Sequence, residues 1–175
     1  MVNLTIVSND SNDDGVSIRS FRPDDLDACR KLYVEGLLGG RLAENDTGLD
    51  IDDIQSAYMA EGNHFWVAVS PAGEIIGMIG VQQHDEGVGE IRRLRVKSDQ
   101  RRKGIGSKLI EAALKFCNDH NYLKITLDTF MDRDPAIKLF EKFHFRHSRT
   151  RELHGKELLY FYLDIYGAEK PPHSP

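Results

Sequence analysis

The chain has 175 residues, 40% hydrophobic and 29% charged, a usage that excludes collagen-like, low-complexity and disordered chains. Its 23 basic and 28 acidic side chains leave a formal charge of −5, which argues against a general nucleic-acid binder. No apolar run approaches the roughly 18 residues of a membrane span, and the first residues lack the basic stretch and apolar core of a secretory signal. A soluble, cytoplasmic, single-domain protein with no membrane or nucleic-acid partner is expected. Residues 1–15 end in a polar, turn-rich run and are expected to be mobile. Val16 to Phe21 alternates apolar and polar residues as a strand does. Pro23-Asp24-Asp25 opens a helix, striped by Leu26, Cys29, Leu32 and Tyr33 and stopped by Gly39-Gly40. Asp50 or Asp52 is placed to cap a second helix that runs to about Glu61.

The period then changes to two. His64–Ser70, Ile75–Gln83 and Glu90–Val96 read as three strands of an antiparallel meander, joined by the turns Pro71-Ala72-Gly73 and His84–Gly89. Gly104 to His120 is an amphipathic helix, and a connection of that length allows the strands on either side of it to lie parallel. Lys124–Thr129 is a strand, Asp134-Pro135 starts a helix with Ile137, Leu139, Phe140 and Phe143 on its apolar side, and Phe145–Thr150 and Glu157–Ile165 close as strands. The domain is expected over 16–166, followed by a loose tail over 167–175. Cys29 and Cys117 sit among apolar helical neighbours and read as buried free thiols.

The chemistry concentrates where a strand passes through a basic loop into the long helix. Residues 92–103 hold Arg92, Arg93, Arg95, Lys97, Arg101, Arg102 and Lys103 against one acid, Asp99. Gly104-Ile105-Gly106-Ser107 then opens the helix, whose first N–H groups lack partners and carry the positive end of the dipole. Phosphate or pyrophosphate suits this arrangement. Two known phosphate loops do not fit: Gly106 leads into Ser107-Lys108 rather than a Walker ending, and the third glycine of a dinucleotide fingerprint is missing. His144, His147 and His154 lack Cys or acid partners at ligand spacing, so no metal is expected.

Arg101-Arg102-Lys103-Gly104-Ile105-Gly106 resembles the Arg/Gln-x-x-Gly-x-Gly/Ala loop of the GCN5-related N-acetyltransferases (GNAT). Glu90-Ile-Arg-Arg-Leu-Arg-Val96 is similar to that family's fourth strand, and Asp134 to Phe145 to its last helix and the strand after it. Leu127 to Ala136 is further similar to the camello-like branch, whose hydrophobic membrane segment has no counterpart in this sequence. The resemblance runs from about Val16 to Ile165. It implies an α/β fold with a mixed, mostly antiparallel central sheet of about seven strands flanked by about four helices. It also implies acetyl-CoA as co-substrate. The pyrophosphate would lie on Arg101, Arg102, Lys103, Gly104, Ile105, Gly106 and Ser107, and the pantetheine arm would pair along Leu94, Arg95 and Val96. The Val96 N–H would face the thioester oxygen, where a fixed donor stabilises developing charge. Glu90 stands where several members keep a general base; its other reading is a simple pairing with a neighbouring arginine. Alternation places Glu90, Arg92, Leu94 and Val96 on one strand face. Phe140 occupies the cofactor-side position where many members use a tyrosine acid, and it cannot donate a proton, so the thiolate leaves unaided or another group helps.

The resemblance thus implies an N-acetyltransferase acting on a small-molecule or peptide amine by direct attack in a ternary complex, with a homodimer among the assemblies the family forms. The alternative is a non-catalytic acyl-CoA-binding or sensor module. The acceptor pocket is expected between residues 36–53 and the turn 84–89, where Glu44, Asp46, Asp50, Asp52 and Asp53 would favour a cationic amine. Helix capping is the other reading of those acids.

Overall fold

Side-chain alternation fixes which residues of each strand face which layer. In β2 (His64–Val69), Phe65 and Val67 point to one side and Trp66 and Ala68 to the other, and each pair enters a different core. The computed structural model describes residues 14–36, 46–131 and 133–165. Most of the segment expected to be mobile, the Gly39-Gly40 stop, Glu44 and the tail after Ile165 lie outside the described residues.

A short β1 (Ser17–Ser20) leads through a 3-10 turn at Pro23–Asp25 into α1 (Leu26–Glu35). α2 (Leu49–Asp52) and α3 (Ile54–Tyr58) follow, then β2, β3 (Ile75–Asp85) and β4 (Val88–Val96). α4 (Ile105–Asp119), β5 (Lys124–Phe130), α5 (Asp134–Lys142), β6 (Arg146–Leu153) and β7 (Lys156–Asp164) complete the chain. The seven strands form one sheet in the order β1-β2-β3-β4-β5-β7-β6. Among the described residues only β4 and β5 pair in parallel, across the α4 connection. The fold is therefore the mixed, mostly antiparallel α/β sheet expected, with five helices among the described residues where about four were expected.

The extra helix arises at Asp53. Its backbone (φ −141, ψ 71) breaks the expected second helix in two, and its carboxylate caps α3 by accepting the Ser56 N–H at 3.1 Å. The expected caps, Asp50 and Asp52, lie inside α2, which starts after Gly48, and α3 ends at Tyr58 rather than Glu61. At the other early helix the first turn is 3-10 because Asp25 turns back on the preceding chain. It accepts the Arg22 N–H at 2.8 Å and forks onto Arg19 at 2.6 and 2.8 Å.

One core lies between the sheet and α4 and α5, and includes Ile79, Val81, Ile91, Leu109, Ile110, Ala113 and Ile125. The other lies under α1 to α3, with Phe21, Cys29, Leu32, Ile51, Ile54, Tyr58, Phe65 and Met78. Among the described residues no helix is long and apolar enough to cross a membrane.

Candidate active site

β4 is where the two layers and the functional residues meet. Met78 pairs with Arg95, but Gly80 pairs with Arg92, so β4 carries an extra residue against β3. The bulge centres on Arg93, whose φ is 59. This corrects the expected single face. Glu90 and Arg92 stay on the α1 side and Arg95 joins them there, whereas Leu94 and Val96 cross over and pack against the α4 core. Sequence alternation cannot report a bulge, because the added residue has no signature of its own.

Arg93 is held by a double fork. It donates to Asp46 at 2.7 and 2.9 Å and to Asp50 at 2.5 and 2.8 Å, and its guanidinium lies over the Tyr33 ring. Burial by itself would raise both carboxyls, but the Arg93 hydrogen bonds hold them below the usual aspartate range. Asp50 also accepts the Tyr58 hydroxyl at 2.6 Å. Asp52 faces Arg30 at 3.4 Å, and Asp53 is a cap. The acids read as a cationic-amine entrance are thus committed to internal partners, Glu44 lying outside the described residues.

β4 and β5 diverge after a short contact. They pair only at Val88 with Lys124, Gly89 with Ile125 and Glu90 with Thr126. Beyond that, the β4 edge away from β3 has no strand beside it among the described residues. The Lys97 N–H bonds back to Ile76 at 2.9 Å, so alternation turns the Val96 N–H toward this gap. Arg101 closes the gap's end, its Nε donating to the Val96 carbonyl at 3.2 Å, and Glu35 of α1 accepts the Ser98 N–H at 2.8 Å. The loop then reaches α4 through Arg102 (φ 62) and Gly104 (φ 78), both left-handed. No side chain caps α4, and Lys108 is the first amide bonded to a helical carbonyl, that of Gly104 at 3.1 Å. Arg101, Arg102 and Lys103 are exposed around this open N-terminus. Gly106 serves packing as well, since a Cβ there would meet Leu139 of α5 at 2.9 Å.

Glu90 lies where the strands part, with His84 Nδ1 at 3.5 Å from its carboxylate. The neighbouring Arg92 bonds to Gln82 at 2.8 Å instead. Burial raises the Glu90 carboxyl above its ordinary value, Arg92 partly offsets this, and the charge of Asp128 adds to it. Asp128 shares that face through the register Glu90–Thr126 and Asp128–Tyr160. Its side chain is open to solvent, yet the protein around it raises its carboxyl too. Sequence reading passed over Asp128 because the spacing between separate strands is set by register alone. Phe140 is 4% exposed and packs in the core against Phe145 and Phe161, both with ring centroids 6.1 Å away. Among the described residues no group of His, Cys, Asp and Glu could hold a metal ion.

Residues 27–145, more than half of the chain, match the family model described as "Acetyltransferase (GNAT) family". The N-acetylaspartate synthetase of Xenopus tropicalis is 36% identical over 107 residues, 60% of this chain and 39% of that protein. The Xenopus tropicalis protein named "Probable N-acetyltransferase camello" is 31% identical over 107 residues, 59% of this chain and 48% of that protein. The chain therefore spans less than half the length of either relative. Among solved structures, yncA from Salmonella typhimurium, described with its cofactor acetyl-CoA, superposes with a TM-score of 0.74 at 17% identity over 91% of this chain and 99% of that one. With its loop, diverging strands and sheet order in place, the chain belongs to the acetyltransferase (GNAT) family, a family of acyltransferases.

Proposed function

We propose that this chain transfers the acetyl group of acetyl-CoA to a primary amine by direct attack in a ternary complex. The observation that carries the reading is the unpaired edge of β4, with the Val96 N–H turned into the gap, beside an uncapped helix N-terminus ringed by Arg101, Arg102 and Lys103. The names of the two relatives and the acetyl-CoA of the Salmonella protein support the same donor and chemistry.

In this reading the α4 amides and the surrounding cations take the pyrophosphate. The pantetheine arm pairs along Leu94 to Val96 as an added strand would. An amine of pKa near 10 is mostly protonated at neutral pH and must lose a proton first. Glu90, with its raised carboxyl, accepts that proton directly or through water. The amine nitrogen then bonds to the thioester carbon while the Val96 N–H meets the charge growing on oxygen, an effect of about 3 kcal/mol for one such donor. The carbon–sulfur bond breaks, and CoA leaves as a thiolate of pKa about 8.5, low enough to depart without an acid in the place of Phe140.

Thermal unfolding with and without acetyl-CoA tests the donor site. A ligand at about 100 times its Kd adds about 2.7 kcal/mol, a shift of several degrees. No shift at millimolar acetyl-CoA overturns the assignment. Release of free thiol with a panel of amines then tests transfer. Phe140, buried and with no proton to give, favours one second reading, an acyl-CoA-binding module. A thermal shift without turnover would select it.

A further inference from the structure

Asp46 and Asp50 are spent on Arg93, whereas one cation near them has no carboxylate partner among the described residues. Arg95 precedes Val96 on β4, and the bulge turns its side chain to the α1 face. Its Nη1 donates to the Leu94 carbonyl at 2.8 Å, and its buried Nε finds no acceptor. Among the described residues no carboxylate pairs with it. Asp46, the acid in its field, is already forked onto Arg93. Two further guanidiniums, Arg133 and Arg93, stand around it with the same sign, and Arg133 donates to the carbonyl of Gly36. A Cβ at Gly36 would overlap the Arg95 guanidinium, so the end of α1 is bare where this side chain passes. Burial, with Arg133 and Arg93 added, pushes the group down to about 10, and it remains charged at neutral pH. A buried cation without a counter-ion is costly, and a protein relieves that cost by pairing it.

We infer that the counter-ion is the substrate's: the acceptor amine belongs to the amino-acid class, and Arg95 binds its carboxylate beside the thioester. This rests on the transferase reading above. Neighbouring residues of one strand then serve neighbouring groups of one small molecule. Val96 addresses the acetyl carbonyl that the amine attacks, and Arg95 holds the carboxylate attached close to that amine. A planar guanidinium suits a carboxylate through two parallel hydrogen bonds, which a lysine cannot reproduce.

The test compares glycine, L-alanine, L-aspartate and L-glutamate with the same compounds in which every carboxylate is an amide. The amides carry the less basic amine and hold more free base at neutral pH, so a preference for the acids reports binding. For the unaltered chain we expect kcat/KM to favour the acids by about tenfold or more, the scale of a hydrogen bond to a charged group. Arg95→Met keeps the backbone groups that pair with the pantetheine arm and removes a buried charge, so it should abolish that preference by raising KM for the acids without lowering Tm. Arg95→Lys should restore part of it. Amides used as well as acids, or a preference that survives Arg95→Met, overturns the inference. If no compound of either set is acetylated, the transferase reading fails separately, and binding decides the site. Acids that raise the Tm of the CoA-saturated protein, but not of its Arg95→Met variant, uphold it; acids that leave Tm unmoved overturn it.

Discussion

Arg93 donates four hydrogen bonds to two carboxylates while sitting in a left-handed backbone conformation. It ties the segment carrying Asp46 and Asp50 to the bulge of β4 and so sets which side chains of that strand reach which face. Its side chain is 7% exposed, that of Asp50 14% and that of Asp46 29%. Arg93→Met should destabilise the fold by about 3 kcal/mol, because it strands two half-buried carboxylates; chemical denaturation measures this. Both carboxyls are held below the ordinary aspartate range, so their contribution is complete above that range and disappears as pH falls through the depressed values. Acid unfolding of the parent should therefore steepen below about pH 4, and the Arg93→Met variant should lack that component. Glu90 has the opposite sign. Its carboxyl lies above the ordinary 4.5, so the carboxylate a base needs appears only at correspondingly higher pH. Glu90→Gln should lower kcat/KM by about a hundredfold or more at neutral pH. The deficit should shrink as pH nears the amine pKa, where no base is needed. An unchanged pH–rate profile removes Glu90 from the mechanism. Glu90 was legible as a candidate through the family resemblance, which implies a general base at that place on the strand. Arg93 was visible only as one of a basic run, since its partners lie 43 and 47 positions away and no local pattern encodes them.

Among the elements, β4 and α4 carry the proposed site because of what each leaves unpaired. β4 is bonded to β3 along its length but to β5 only at Val88 to Glu90, so the later amides on the β5 side depend on solvent or ligand. Acetyl-CoA should slow hydrogen exchange at Val96 and, by the same alternation, at Leu94. The amides already bonded to β3, such as that of Lys97, should change little. Equal slowing of both sets would contradict an added-strand mode. At the start of α4, Gly104 has a φ of 78 and no atom within 4 Å of a built Cβ. Gly104→Ala therefore meets a backbone penalty alone, about 1–2 kcal/mol, and denaturation midpoints should report it without a packing change.

Across the whole molecule the sheet separates two cores, and each holds one cysteine. Cys29 is on the buried face of α1 and Cys117 on that of α4, both at 0% exposure, and burial pushes both thiols up to about 12. A thiol reagent should label neither in the native protein at pH 8, and both should react at the rate of unfolding. Rapid native labelling of one alone would show that its layer opens independently of the other.

The order of strands and helices was legible because apolar periodicity is local: a period of two or of 3.6 is written in consecutive residues and survives into the fold. The basic loop before α4 was legible for the same reason, its charges and the helix start being adjacent in the chain. Tertiary structure decided the rest. The β4 bulge depends on a partner strand, the split of the second helix on one backbone dihedral at Asp53, and the commitment of Asp46 and Asp50 on an arginine more than 40 residues away. That no carboxylate among the described residues pairs with Arg95 is likewise a property of the assembled fold. Whether a charge is free is settled by what folding brings within reach of it, and a sequence records the charge without recording that distance.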